Sequence, residues 1–185
     1  SEHHLSHYFE ITGILNGNGH TIKGLQLSYD NSINVFTSSY NLALIGLSNG
    51  TITGLSVEDV EISYIDNDPN NTQFENVFVG GIVAENNGII EYCNVNGKIT
   101  VDGNDGEQIC VGGIAGFNEE EIKYSSSNTN IDVNSDTKSV NVGGIVGYSK
   151  ASKGKINSCS NFGDVCALGI VNEICVGGIV GYASG

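Results

Sequence analysis

An all-β chain, wound as a right-handed parallel β-helix of about five coils with three short strands per coil, follows from three features of the sequence. A block of roughly 30 residues repeats along nearly the whole chain. Its apolar runs are short and rich in Val and Ile, which suits strands rather than helices. Gly and Asn separate the runs, and both tolerate the backbone of tight turns.

The repeat is clearest at Val79-Gly80-Gly81-Ile82-Val83, which returns at Val111-Gly112-Gly113-Ile114-Ala115, Val142-Gly143-Gly144-Ile145-Val146 and Val176-Gly177-Gly178-Ile179-Val180. The valines step by 32, 31 and 34 residues. Leu42-Ala43-Leu44-Ile45-Gly46 is a degenerate earlier copy. Two adjacent glycines inside a helix would be unfavourable by about 1 kcal/mol each. Gly80, Gly81, Gly112, Gly113, Gly143, Gly144, Gly177 and Gly178 are therefore read as strand and turn glycines.

A second block follows each copy in phase. Gly50-Thr51-Ile52-Thr53-Gly54-Leu55 has counterparts at 88–93, 120–125 and 154–159, and Gly19-His20-Thr21-Ile22-Lys23-Gly24-Leu25 is read as its first member. This alignment predicts an inward ladder of Ile22, Ile52, Ile90, Ile122 and Ile156, with a second ladder of Leu25, Leu55, Cys93, Ser125 and Cys159. The two ladders lie three residues apart. A flat strand of period two cannot turn both inward, so a bend must separate them. A third apolar pair closes each unit: Ile99 and Val101, Ile131 and Val133, Val165 and Ala167, with Val60 and Ile62 one residue out of phase. Equivalent strands then stack in parallel about 4.8 Å apart, with the right-handed sense of parallel crossovers. Residues 1–8 read as a tail and 9–185 as solenoid, cut within a repeat and so expected to be a fragment of a longer protein.

Composition narrows the functional classes. The formal charge is −14, from 7 basic residues against 21 acidic ones, and Arg is absent. Such a chain repels phosphate backbones and anionic membranes, so nucleic-acid binding is not expected. No run approaches the roughly 18 apolar residues of a membrane span, so no insertion by this segment is expected. The five cysteines contain no Cys-x-x-Cys pair. Cys93 and Cys159, like Cys110 and Cys175, fall two coils apart, about 10 Å at the rung spacing, beyond disulfide reach. Free thiols are expected, with Cys93 and Cys159 filling the core and Cys110 and Cys175 more exposed.

Signals for chemistry are sparse. Glu2-His3-His4-Leu5-Ser6-His7 brushes against a zincin motif, but His4 stands where the catalytic Glu belongs. Gly19-His20 with Lys23 faintly resembles a pectinase site. Stacking would line up Asp66, Asp68, Asp102, Asp105 and Asp136 as a candidate cation edge. The loop at Asp66 nevertheless lacks the Gly and Glu that an EF-hand needs. No cofactor is expected, and no catalytic residue is assigned.

Val-Gly-Gly-Ile-Val-Gly followed by Asn-Gly-x-Ile-x-x-Cys resembles the GLUG-motif repeats of bacterial surface proteins, over about Tyr8 to Gly185. The run Leu15-Asn16-Gly17-Asn18-Gly19-His20-Thr21-Ile22-Lys23-Gly24-Leu25 is similar to the opening coil of such proteins. The chain departs from the pattern at Asn16, Ala115 and Asn118-Glu119-Glu120-Glu121. The resemblance implies a bacterial extracellular or surface-anchored protein, often described as an adhesin. It also implies flanking domains of the same chain, and similar repeats lie beside zinc peptidase domains that cleave immunoglobulin. The expected role is a non-catalytic adhesin or rigid spacer whose partner is a host or neighbouring-cell protein or glycan. The alternatives are a polysaccharide-processing β-helix enzyme and a substrate-positioning arm of a secreted peptidase.

Overall fold

A computed structural model describes residues 9–30, 39–66, 76–103, 107–150, 152–169 and 172–184. These residues form a parallel β-solenoid with no helix. The strands fall into four sheets. Sheet 1 stacks Glu10–Ile11, Ile45–Ser48, Val83–Asn86, Ala115–Asn118, Val146–Lys150 and Val180–Ser184. Sheet 2 stacks Ile14–Asn16, Thr51–Thr53, Ile89–Glu91, Glu121–Lys123 and Lys155–Asn157. Sheet 3 holds the longest strands, Ser56–Asp66, Asn94–Gly103 and Ser126–Ser135. They lie between a two-piece first rung (Thr21–Lys23, Gln26–Asp30) and a two-piece last one (Ser160–Asn161, Val165–Leu168). Sheet 4 stacks Ser39–Leu42, Asn76–Gly80, Gln108–Gly112, Ser139–Gly143 and Glu173–Gly177. The stack is thus five rungs deep in sheets 2 and 4, joined by four stacking steps.

Each coil has four strands rather than the three expected, because the Val-Gly-Gly-Ile block contains a corner. Sheet 4 ends at the first glycine of each pair and sheet 1 begins at the residue after the isoleucine. A Cβ on Gly80, Gly112, Gly143 or Gly177 would run into the carbonyl oxygen three residues on, that of Val83, Ala115, Val146 or Val180. A Cβ on Gly81, Gly113 or Gly144 would run into the carbonyl of the second glycine one rung above. None of these glycines has a positive φ. The motif therefore needs glycine for close backbone approach, both within its own bend and between coils.

The core runs up the axis. Ile52, Ile90 and Ile122 are fully buried, paired in register, and continue to Ile156 at the last rung. Leu55, Cys93 and Ser125 are buried beside them and Cys159 is half-buried. Ile82, Ile114 and Ile145 fill the glycine corner from inside. In Ser126–Ser135 burial alternates strictly, with Asn128, Asn130, Asp132 and Asn134 pointing out, the period-two signature of a strand with one face on the core.

The opening coil enters at a different register from the one expected. Leu15, not Ile22, pairs with Ile52, while Ile22 pairs with Val57 in sheet 3 and is 39% exposed. Leu25 lies opposite Val60, its carbonyl accepting from the Glu61 amide at 2.8 Å. The cause is a wider first corner. Four residues, Gly17 to His20, separate Asn16 from Thr21, where later coils use two, such as Gly54 and Leu55. Asn18 (φ 48°) and Gly19 (φ 75°) take up the extra length. In the second coil Ile62 and Tyr64, rather than Val60 and Ile62, oppose Ile99 and Val101. The extra residue is a bulge in which Asp59 has φ 55°, with its amide bonded to Asn96 Oδ1 at 3.0 Å.

Candidate binding surface

The corner between sheets 2 and 3 is the bend that the paired inward ladders require. One residue per rung turns it in the left-handed region: Gly54 (φ 62°), Tyr92 (φ 54°), Tyr124 (φ 51°) and Ser158 (φ 52°). This backbone lets Ile90 and Cys93, three residues apart, both face inward. Glycine adopts it freely, but for an L-residue it is unfavourable by roughly 1–2 kcal/mol, and a bulky residue there is an outlier. Tyr92 and Tyr124 offset little of that by burial, being 55% and 52% exposed. Their rings stack on each other, with centroids 5.1 Å apart and planes 14° from parallel.

Beside this pair lies a charged cluster on the outer face of sheet 2. Lys123 Nζ sits 2.9 Å from Glu121 Oε2 and 3.4 Å from Glu91 Oε2. The hydrogen bond from Lys123 holds the Glu121 carboxyl below its ordinary value, and the same bond raises Lys123. Asn157 Nδ2 donates to Glu121 Oε1 at 3.3 Å. Other lysines pair across rungs in the same way: Lys23 with Glu58, Lys138 with Glu107, Lys150 with Glu119 and Lys153 with Glu120. Acids outnumber bases by 14, so the surface as a whole stays negative.

Sheet 3, which holds the longest strands, presents an outer face of polar side chains. Neighbouring rungs bond side chain to side chain there, from Ser126 Oγ to Asn94 Oδ1 at 2.7 Å and from Asn134 Nδ2 to Asp102 Oδ1 at 3.2 Å. Lys98, Asn130, Asp132, Asp164 and Cys166 line a shallow hollow on it. A second aromatic row runs outside sheets 4 and 1, where Phe78, Phe117, Tyr148 and Tyr182 follow one another at 5.2–5.3 Å. Phe78, Phe117 and Tyr148 cover Cys110, Ala43 and Ala84 in a small cluster outside the main core. Cys110 is therefore fully buried, not one of the more exposed thiols as expected. Burial pushes its thiol up to about 12, and raises Cys93 as well. Both thiols stay protonated at neutral pH and are poor nucleophiles. All five cysteines are free.

Of the acidic residues expected to form a cation edge, the described ones, Asp66, Asp102 and Asp136, do not converge. Asp66 is buried, whereas Asp102 faces outward and accepts from Asn134. Asp66 pairs with Gly103 and Asp102 with Ile65, so alternation sends the two carboxylates to opposite faces of the sheet. Asp136 is exposed just past the end of its strand. Asp68 and Asp105 lie outside the described residues, as do His3, His4 and His7. Among the described residues no group of three or more His, Cys, Asp and Glu is placed to hold a metal ion. His20 is exposed, and Lys23 is engaged with Glu58 at 2.7 Å. In comparisons with known proteins, no family model, curated protein or solved structure matches the chain.

Sequence reasoning passed over Tyr92 and Tyr124. The signal was present in the repeat alignment, where both fall opposite Gly54, a position that turns the corner. A tyrosine opposite a turn glycine marks a residue kept against its backbone preference.

Proposed function

We propose that this chain is a non-catalytic repeat segment of a bacterial extracellular or surface-anchored protein, acting as an adhesin or rigid spacer. One observation carries the reading. The same apolar rows continue rung over rung from the first coil to the last, with Leu15, Ile52, Ile90, Ile122 and Ile156 in unbroken register. A stack in which each coil buries the next is stiff along its axis and presents side chains at a fixed spacing of about 4.8 Å. Such geometry suits display and spacing. The GLUG-like blocks support the bacterial surface assignment.

The test immobilises the 185-residue chain and exposes it to arrays of host proteins and glycans, with a parallel assay for polysaccharide breakdown. Saturable binding without breakdown supports an adhesin, and blank arrays without breakdown support a spacer. Polysaccharide turnover that survives purification to homogeneity would overturn the proposal.

A further inference from the structure

We infer that the Tyr92–Tyr124 corner is a carbohydrate-binding platform for an uncharged pyranose, with the sugar stacked on the Tyr92 ring face above Gly54. This rests on the binding side of the proposed function and names the ligand class.

Three observations point there. Tyr92 and Tyr124 are more than half exposed, yet they are held parallel by stacking and by a backbone that tyrosine adopts only under strain. Strained, solvent-facing residues are characteristic of ligand sites. The row in which they stand is small on both sides, with Gly54 before Tyr92 and Ser158 after Tyr124. Each tyrosine therefore turns one ring face toward its partner and the other toward a position with little or no side chain. At Gly54 a Cβ would meet nothing closer than 3.5 Å, and the nearest atoms are the amide nitrogens of Asn18 and Gly19 and Asn16 Oδ1. The bare face thus opens over a backbone floor whose amides are engaged, Asn18 donating to Asn16 Oδ1 at 2.8 Å and Gly19 to the Gly54 carbonyl at 2.9 Å, which leaves the second lone pair of Asn16 Oδ1 at the edge to accept from a ligand hydroxyl.

An aromatic face that offers dispersion contact to one side of a flat ligand, with hydrogen-bonding groups at its rim, matches a pyranose, whose C–H face is apolar and whose edge carries hydroxyls. Removal of one rung's side chain leaves about 4.8 Å of height, comparable to a single ring at van der Waals separation. Charge selects among sugars. Beside the platform Glu91 and Glu121 are matched by Lys123 and by Lys155 in the next rung, so the repulsion comes from the −14 that the chain carries overall. Uronic and sialic acids are repelled, and neutral hexoses and N-acetylhexosamines are not.

The probes are cellohexaose, chitohexaose and maltohexaose, with sialyllactose as the anionic comparison. The readouts are the ring-proton shifts of Tyr92 and Tyr124 by NMR and tyrosine fluorescence, which no Trp obscures in this chain. At least one neutral hexaose should shift both rings with a Kd near or below about 1 mM; sialyllactose should bind at least about tenfold more weakly. Tyr92→Gly should abolish the shifts at Tyr124 while leaving the thermal midpoint equal or higher, because glycine relieves the strained backbone. Gly54→Asn keeps a left-handed backbone accessible and fills the space beside the ring, and should weaken binding at least about tenfold with the fold intact. Absence of any ring shift with all three neutral probes would overturn the platform. So would binding that survives both Tyr92→Gly and Gly54→Asn, which would place the sugar elsewhere and leave the adhesin reading standing. Breakdown of a probe would sink the non-catalytic role without touching the platform.

Discussion

Gly113→Ala should destabilise the chain sharply, whereas the same change at Gly178, the matching motif position in the last rung, should not. At Gly113 the new methyl falls on Ser127 Oγ and on the carbonyl oxygen of Gly144 in the next rung. Ser127 can rotate. The carbonyl cannot move without parting the coils, because Gly113 and Ile114 donate to Gly143 and Ile145 across the same step, at 3.3 and 3.0 Å. Overpacking of this kind is unfavourable by about 1–3 kcal/mol, and a weakened backbone bond adds about 1 kcal/mol. Restricting the unfolded chain offsets roughly 0.4–1 kcal/mol. A net loss of about 1–3.6 kcal/mol lowers the melting temperature of a chain this size by roughly 2–14 °C. At Gly178 no atom lies within 4 Å of where the added methyl would sit and φ is not positive, so only the small unfolded-state gain remains. Thermal melts followed by circular dichroism, with urea titrations alongside, compare the two variants. If Gly113→Ala melts with the wild type, or Gly178→Ala falls equally far, the close-approach account of the motif is refuted.

The core ladder predicts that Ile90→Ala loses about 2–5 kcal/mol, while Ile22→Ala, at 39% exposure, loses under about 1 kcal/mol; urea midpoints separate them. Thiol labelling should reach exposed Cys166 in the native protein but reach Cys93 and Cys110 only after denaturation, since both are fully buried and their pKa values raised. Lys123 depresses the Glu121 carboxyl, so its small contribution is present above the unfolded carboxylate pKa and lost as pH falls through the lower folded value. A carboxyl titration by NMR should find Glu121 below 4.5 and rising toward it in Lys123→Met.

Legibility differed from element to element. The Ile52, Ile90, Ile122 and Ile156 row was readable because residues at one repeat phase hydrogen-bond to their own counterparts, so periodicity converts directly into contact. The bend between that row and Leu55, Cys93, Ser125 and Cys159 was readable too, since three-residue spacing cannot fit a flat strand. The first coil was misplaced because Thr21-Ile22-Lys23 resembles Thr51-Ile52-Thr53 in composition. What sets the register is the length of the Gly17–His20 corner against its neighbour, a non-local quantity. Tyr92 and Tyr124 were passed over because exposure and ring stacking emerge only once the rungs are superposed.

Repetition in the chain was enough to specify a stacked, parallel, all-β rod and most of the side chains along its axis, because identical units bury one another best in register. The number of corners, the entry point of the first coil, the inward turn of Asp66 against the outward turn of Asp102, and the covering of Cys110 were decided by packing. Each depends on how closely two backbones approach or on which face of a sheet a neighbouring segment covers. Those distances are set between residues about 30 apart in sequence and have no local signature.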